Sequence, residues 1–321
     1  MTSSDFDPSL AVALGPLRLK NPIVTASGTF GYGLEFADFV DLSRLGGICT
    51  KGLSLKPHAG NVPPRICETP AGMLNAIGLQ NVGVAVFLEE KLPKLEELQA
   101  TVIANVWGDT EEEFVEVVRA LEGASGLAAV ELNISCPNVA KGGMLFGNSP
   151  QATASLVARV RAATRRPLIV KLSPNAPDLV LSARAAREAG ADILSLVNTF
   201  VGMAIDPESG QPRLSFGTGG LSGPAIRPLA VRMVFQVARA LPGVPVMGIG
   251  GISELADVLE FLAAGAAAVQ VGTANFKDPG VSGRLVGELD AYCRRRGVPV
   301  SGLVGRALKA GAPVLDAGAE G

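Results

Sequence analysis

Eight short apolar runs alternate with amphipathic segments almost from end to end, at 22–28, 46–52, 101–108, 128–135, 168–174, 193–199, 244–251 and 268–274. Most are apolar on both faces, as strands of a parallel sheet covered on both sides are. Between them lie helix patterns. Segment 109–122 opens with Asp109-Thr110 and three glutamates, places Phe114, Val118 and Leu121 on one stripe, and stops at Gly123. Segment 253–264 repeats the logic with Leu255, Val258, Leu259 and Leu262, then Gly265. Eight strand–helix units predict a (β/α)8 TIM barrel. A doubly wound open sheet is the rival. The first run, however, enters Ser27-Gly28-Thr29-Phe30-Gly31-Tyr32-Gly33, and no acidic residue follows where a ribose would need one.

Two connections, 53–82 and 202–223, are too long for plain barrel turns, and both read as loop insertions over the C-terminal face. A third, 137–148, carries Gly142, Gly143 and Gly147 as candidate hinges. No linker composition or charge run divides the chain. We expect one domain over 1–321, with 309–321 as a flexible tail.

Composition removes several classes of function. Lys and Arg number 28 against 30 Asp and Glu, and aromatics are 5%, so phosphate neutralisation and base stacking lack material. The single histidine, His58, rules out a multi-histidine metal site; it sits in Lys56-Pro57-His58-Ala59-Gly60 and reads as a solvated loop residue. Cys49, Cys67, Cys136 and Cys293 are too scattered to ligate zinc or an iron–sulfur cluster by themselves. The acidic, polar start MTSSDFDPSL lacks a signal-peptide pattern, and no apolar run approaches the roughly 20 residues that span a bilayer. A reduced, cytoplasmic protein is expected.

Barrel active sites form at the C-terminal strand ends. In order these ends carry Ser27, Lys51, Asn105, Asn133 with Ser135 and Cys136, Lys171 with Ser173, Asn198 with Thr199, Gly250-Gly251, and Gly272-Thr273. Elsewhere the strands read as nearly devoid of polar side chains. One polar residue leaving a strand is commonly a turn or cap, but all eight ends together describe a hydrogen-bonding mouth on an apolar barrel. Gly250-Gly251 before Ser253, and Gly272-Thr273, suit a phosphate grip at helix starts after the last two strands. Ordinary tight turns are the bland alternative.

Lys171 follows Leu168-Ile169-Val170, so its stem starts deep in the barrel. Either Lys171 or Lys51 could form a Schiff base, hold a carboxylate, or place positive charge beside a reduced flavin. Cys49, Cys67 and Cys293 read as buried, inert thiols. Cys136 differs, because polar residues flank it at the mouth and a thiol with a pKa of about 8.5 can serve as a base.

The motifs Ala26-Ser27-Gly28-Thr29-Phe30-Gly31, Thr50-Lys51-Gly52, Asn75-Ala76-Ile77-Gly78-Leu79-Gln80-Asn81, Asn133-Ile134-Ser135-Cys136-Pro137-Asn138, Ser222-Gly223-Pro224-Ala225-Ile226-Arg227-Pro228 and Gly248-Ile249-Gly250-Gly251-Ile252 occur in one order. In them the chain resembles the catalytic subunits of class 1B dihydroorotate dehydrogenases, from about Leu10 to about Leu308. The resemblance implies an FMN-bound barrel that oxidises (S)-dihydroorotate to orotate in pyrimidine biosynthesis. Cys136 matches the catalytic base that removes the C5 proton while the C6 hydride passes to the flavin. Lys51, Asn75, Ala76, Ile77, Gly78, Leu79, Asn133, Asn198 and Thr199 match substrate contacts. Ser27, Lys51, Gly52, Asn105, Asn133, Lys171, Val197, Gly223, Gly250, Gly251, Gly272 and Thr273 match FMN contacts.

Cysteine at the base position resembles class 1, since the quinone-linked class 2 enzymes carry serine there. Val139-Ala140-Lys141-Gly142-Gly143-Met144 and the Gly-Thr-Phe-Gly start resemble 1B rather than the fumarate-using 1A. Class 1B implies a partner subunit holding FAD and a 2Fe–2S cluster, a homodimer core, and a heterotetramer of two plus two with electrons going to NAD. Neither nucleic acid nor membrane is an expected partner. Cys49 and Cys67 depart from the family pattern, which has plain apolar residues there. A fumarate-dependent class 1A enzyme is the alternative within the family. Outside it the alternatives are a Schiff-base lyase or aldolase on a phosphate-binding barrel, and a non-catalytic flavin-binding scaffold.

Overall fold

Parallel pairing closes eight strands into a barrel: β1 (Ile23–Thr25), β2 (Gly47–Cys49), β3 (Val102–Val106), β4 (Leu127–Asn133), β5 (Leu168–Lys171), β6 (Ile193–Leu196), β7 (Val246–Ile249) and β8 (Ala268–Val271). Each neighbours the next in sequence, and β8 returns to β1 through Val269–Ile23, Gln270–Val24 and Val271–Thr25. This computed structural model describes residues 8–135 and 146–311. The predicted runs and the observed strands coincide in number and place. The observed ones are shorter, because the polar ends of the runs leave the sheet as the mouth.

Helices Glu111–Glu122, Pro150–Ala163, Leu179–Glu188, Arg227–Ala240, Leu255–Ala264 and Val281–Arg296 flank the barrel. Glu111–Glu122 starts where expected: Thr110 Oγ1 accepts the Glu113 amide at 3.2 Å, while the Glu113 carboxylate accepts the Asp109 amide at 2.7 Å. Phe114, Val117, Val118 and Leu121 are then fully buried at helical spacing. The connection from β1 to β2 holds only 3₁₀ turns, Leu34–Phe36 and Leu42–Arg44.

Two features went unread in the sequence. An antiparallel hairpin, Val12–Leu14 with Leu17–Leu19, precedes the barrel. Its turn glycine, Gly15, lies against Asp192 and Pro245, which lead into β6 and β7, so the hairpin sits at the N-terminal end with Leu14 and Leu17 buried. The two long insertions are not plain loops. They pair into a four-stranded antiparallel sheet in the order Phe200–Met203, Thr218–Ser222, Gly72–Asn75 and Ile66–Thr69. Leu74, Ala76 and Leu214 form a small core of their own against this sheet.

The barrel interior also corrects the expectation of strands without polar side chains. Glu131 on β4, Ser195 on β6 and Gln270 on β8 are fully buried. His58 is half-buried rather than solvated: its ring meets Trp107 edge-on at 5.3 Å, and its backbone pairs with Asn81. Cys67 is only partly buried, on the insertion sheet, while Cys49 and Cys293 are buried as expected.

Candidate active site

A cleft of about 360 Å³ opens over the C-terminal strand ends, walled on the far side by the insertion sheet. It is large enough for a cofactor-sized ligand. Ser27 follows β1, Lys51 and Gly52 follow β2, Asn133 and Lys171 end β4 and β5, and Val197, Asn198 and Thr199 follow β6. Gly250 and Gly251 follow β7, Gly272 and Thr273 follow β8, and Asn75, Ile77, Gly78, Leu79 and Gly223 come from the insertions. All these expected site residues line one space. The structure places two others off its wall. Ala76 is buried in the insertion-sheet core, and Asn105 is buried at the end of β3, outside the lining. Cys136 lies outside the described residues; Ser135, just before it, is buried and hydrogen-bonded at the mouth.

One end of the cleft is bare backbone. Gly250 and Gly251 have φ of +136° and +72°, and a Cβ on Gly251 would come within 2.8 Å of both Arg227 Cβ and the Gly223 carbonyl oxygen. Only glycine fits there without strain. Within the described residues, the amides of Gly250, Gly251 and Gly272 donate no hydrogen bond to the protein. The helix start expected at Ser253 lies further on, at Leu255. The Asp257 carboxylate accepts the amides of Ser253 at 2.9 Å and Glu254 at 3.0 Å and pairs with Arg227, so the protein's own side chain occupies that helix end. The unused amides here are those of the glycine turns, not those of the helix terminus.

The other end is an amide network. Asn198 Nδ2 donates to Ser135 Oγ at 2.8 Å and to Asn133 Oδ1 at 3.3 Å, and Asn198 Oδ1 accepts the Thr199 amide at 2.8 Å. Asn133 Oδ1 also accepts from Ser135 Oγ at 3.2 Å. Asn75 Nδ2 donates to the Gly220 carbonyl at 3.2 Å, which fixes the side chain across the two insertions. These bonds lock each amide's orientation, a precondition for recognising a planar ligand with donors and acceptors on its edge.

Lys171 lines the cleft from the end of β5, 4% exposed. Its Nζ is 4.0 Å from Glu131 Oε1. The same carboxylate accepts from Asn105 Nδ2 at 2.7 Å, Gln270 Nε2 at 2.6 Å, Ser195 Oγ at 2.8 Å and Cys49 Sγ at 3.1 Å. A buried charge needs such a complement of donors to offset its desolvation. Burial pushes the Cys49 thiol well above its usual pKa, and the Glu131 charge pushes it further, against a smaller opposing pull from Lys171. Asn105 Oδ1 is buried with no protein partner.

Sequence reasoning missed Glu131, Arg65, Ser222 and Phe276. Ser222 opens one of the motifs quoted above and accepts a hydrogen bond from Thr273 at 2.8 Å, so that motif could have flagged it. Arg65, on the cleft wall and bonded to Gln80 at 3.0 Å, carries no signal in its proline-rich surroundings. Among the described residues, no group of His, Cys, Asp and Glu could hold a metal, and no helix is long and apolar enough to cross a membrane.

The family profile described as dihydroorotate dehydrogenase matches residues 9–292. A curated relative from Citrifermentans bemidjiense, named dihydroorotate dehydrogenase B (NAD(+)), catalytic subunit, is 56% identical over 89% of this chain and 93% of its own length. One of the same name from Geobacter sulfurreducens is 56% identical over 91% of this chain and 95% of its own. Among solved structures, a dihydroorotate dehydrogenase from Eimeria tenella in complex with ferulenol superposes with a TM-score of 0.79 at 23% identity. The match covers 95% of this chain and 90% of that one.

Proposed function

The chain belongs to the dihydroorotate dehydrogenase family, and from that premise we propose that it oxidises (S)-dihydroorotate to orotate with bound FMN and delivers the electrons through a partner subunit to NAD. The observation that carries the reading is one continuous cleft that joins a buried ammonium to a glycine cradle and an amide network.

The residues present fit FMN. Gly223, Gly250, Gly251, Gly272 and Thr273 would hold the phosphate end, where the amides of Gly250, Gly251 and Gly272 are unused and a Cβ on Gly223, Gly250 or Gly251 would intrude. Lys171, Asn133, Ser27, Lys51, Gly52 and Val197 would hold the ring system, and the orphaned Asn105 Oδ1, just behind Gly52 on the cleft wall, offers a buried acceptor to its edge. When bound, FMN supplies an acceptor for the two electrons that leave dihydroorotate. This chain's residues do the rest. Lys51, Asn75, Asn198 and Thr199 orient a planar diamide bearing a carboxylate, with Ala76, Ile77, Gly78 and Leu79 supplying the adjoining chain. The insertion sheet excludes water from one side. Cys136 removes the C5 proton, and its position directly after Ser135 supports that role.

The partner is an iron–sulfur flavoprotein carrying FAD and a 2Fe–2S cluster, in a two-plus-two assembly around a homodimer of this chain, in the cytoplasm. The relatives' names include the words catalytic subunit, and the scattered cysteines of this chain leave it without a cluster of its own. Anaerobic addition of dihydroorotate to the purified chain tests the reading. The flavin should bleach and orotate should appear, while NAD re-oxidises the flavin only after the partner is added. Turnover with NAD by the chain alone, at an ordinary rate of about 1 per second or more, removes the partner from the scheme. Turnover with fumarate moves the chain to the other class 1 branch.

A further inference from the structure

We propose that Glu131 is a positioning residue whose carboxylate, as the buried counter-charge of Lys171, sets the potential at which the bound flavin accepts electrons. The inference rests on the FMN reading above. Glu131 is fully buried on β4, two residues before Asn133 and on the same face, so it points into the barrel beneath the cleft. It takes no part in binding or proton transfer as derived above. Yet side chains from β2, β3, β6 and β8 all donate to it. Every one of those contacts is a donor, which is the arrangement an anion requires. Among the described residues, the formal cation paired with it is Lys171, at 4.0 Å.

The pair reaches the cleft through Lys171 alone, since Lys171 lines it and Glu131 does not. Reduction of a flavin takes up two electrons and one proton and leaves one negative charge on the ring. A buried ammonium favours that product, and an anion beside the ammonium subtracts from the effect in a low-dielectric interior. Glu131 thus holds the flavin less oxidising than Lys171 alone would make it. The donors matter for the same reason: each hydrogen bond draws charge off the carboxylate and weakens its opposition.

Glu131→Gln keeps the volume and removes the charge. The orphaned oxygen of Gln270 can turn to accept from the new amide, so the variant has a partner available. In the full chain loaded with FMN and equilibrated against a reference dye, the ratio of reduced to oxidised flavin at fixed poise should rise about tenfold or more, roughly 30 mV for a two-electron couple. Ser195→Ala removes one donor and leaves the charge, so its ratio should fall below wild type. A purely structural role would alter FMN content but would not move the potential in opposite directions. Ratios within about twofold of wild type in both variants would overturn the inference while leaving the FMN reading intact. If Glu131→Gln does not fold, Ser195→Ala decides alone: a fall supports the assignment and no change overturns it. A wild-type chain that takes up no FMN defeats both readings.

Discussion

The two ends of the cleft are built by opposite means. The Gly250–Gly251 end is shaped backbone, where the amides are unused and a Cβ would collide with Ala230 at the first glycine and with Arg227 and Gly223 at the second. The Asn133–Asn198 end is side-chain chemistry, where each amide is held by its neighbours and no glycine is needed. Change at the first end acts through shape and should not depend on what the new residue can bond. Change at the second acts through bonding and should tolerate similar shapes.

The largest expected effect belongs to the proposed base. Cys136→Ser should slow flavin reduction by about 10²–10⁴-fold with full FMN content, because serine is a far weaker base at neutral pH. Stopped-flow reduction by dihydroorotate reads this directly, and a Cys136→Ala variant that matches wild type would remove the base assignment. Next comes the backbone end. Gly251→Val should impair FMN binding by more than the roughly 1–3 kcal/mol of backbone strain alone, since the new Cβ would also overlap Arg227. Flavin content after dialysis measures it, and Gly251→Ser should fare no better despite its hydroxyl. If serine rescued binding, the contrast between shape and bonding would collapse.

Asn198→Ala should leave FMN content unchanged and raise the KM for dihydroorotate roughly tenfold, from about 1.5 kcal/mol of lost hydrogen bonding. Loss of flavin in that variant would mean the two ends are not separate. The smallest effect is a scaffold control. Thr110→Ala removes a helix cap remote from the cleft and should cost about 1 kcal/mol of stability, with flavin content and KM unmoved, as denaturation and steady-state assays would report.

The barrel was legible because its signals are local and repeated. Each strand is an apolar run bounded by polar ends, and helix Glu111–Glu122 announces its cap and its stop. The insertion sheet was not legible, because its pairing is long-range and its strands look like loops. Thr218–Ser222 contains Gly219 and Gly220, where a Cβ would strike the Asn75 backbone or Thr199, so packing removed the alternation that marks a strand. Glu131 was missed for the converse reason. A lone glutamate in an apolar strand reads as a solvent-facing position, and only the closed barrel shows that donors from four other strands converge on it. The residues that line the cleft were legible as a set because strand ends are predictable places. Asn105 and Ala76 show the limit, since adjacency in a motif does not fix which way a side chain faces.

The stitching of the two insertions constrains how this chain can be recombined with its relatives. Gly72–Asn75 pairs with Thr218–Ser222, so residues supplied after β2 complete an edge supplied after β6. A chimera that imports 53–82 from a relative but keeps the native 202–223 inherits one half of a matched register. Its crossover points would fall at clean barrel turns, and it would still carry a mismatched seam over the cleft. Exchanged together, the two insertions form a portable module; exchanged singly, they break the wall that holds Asn75 in place.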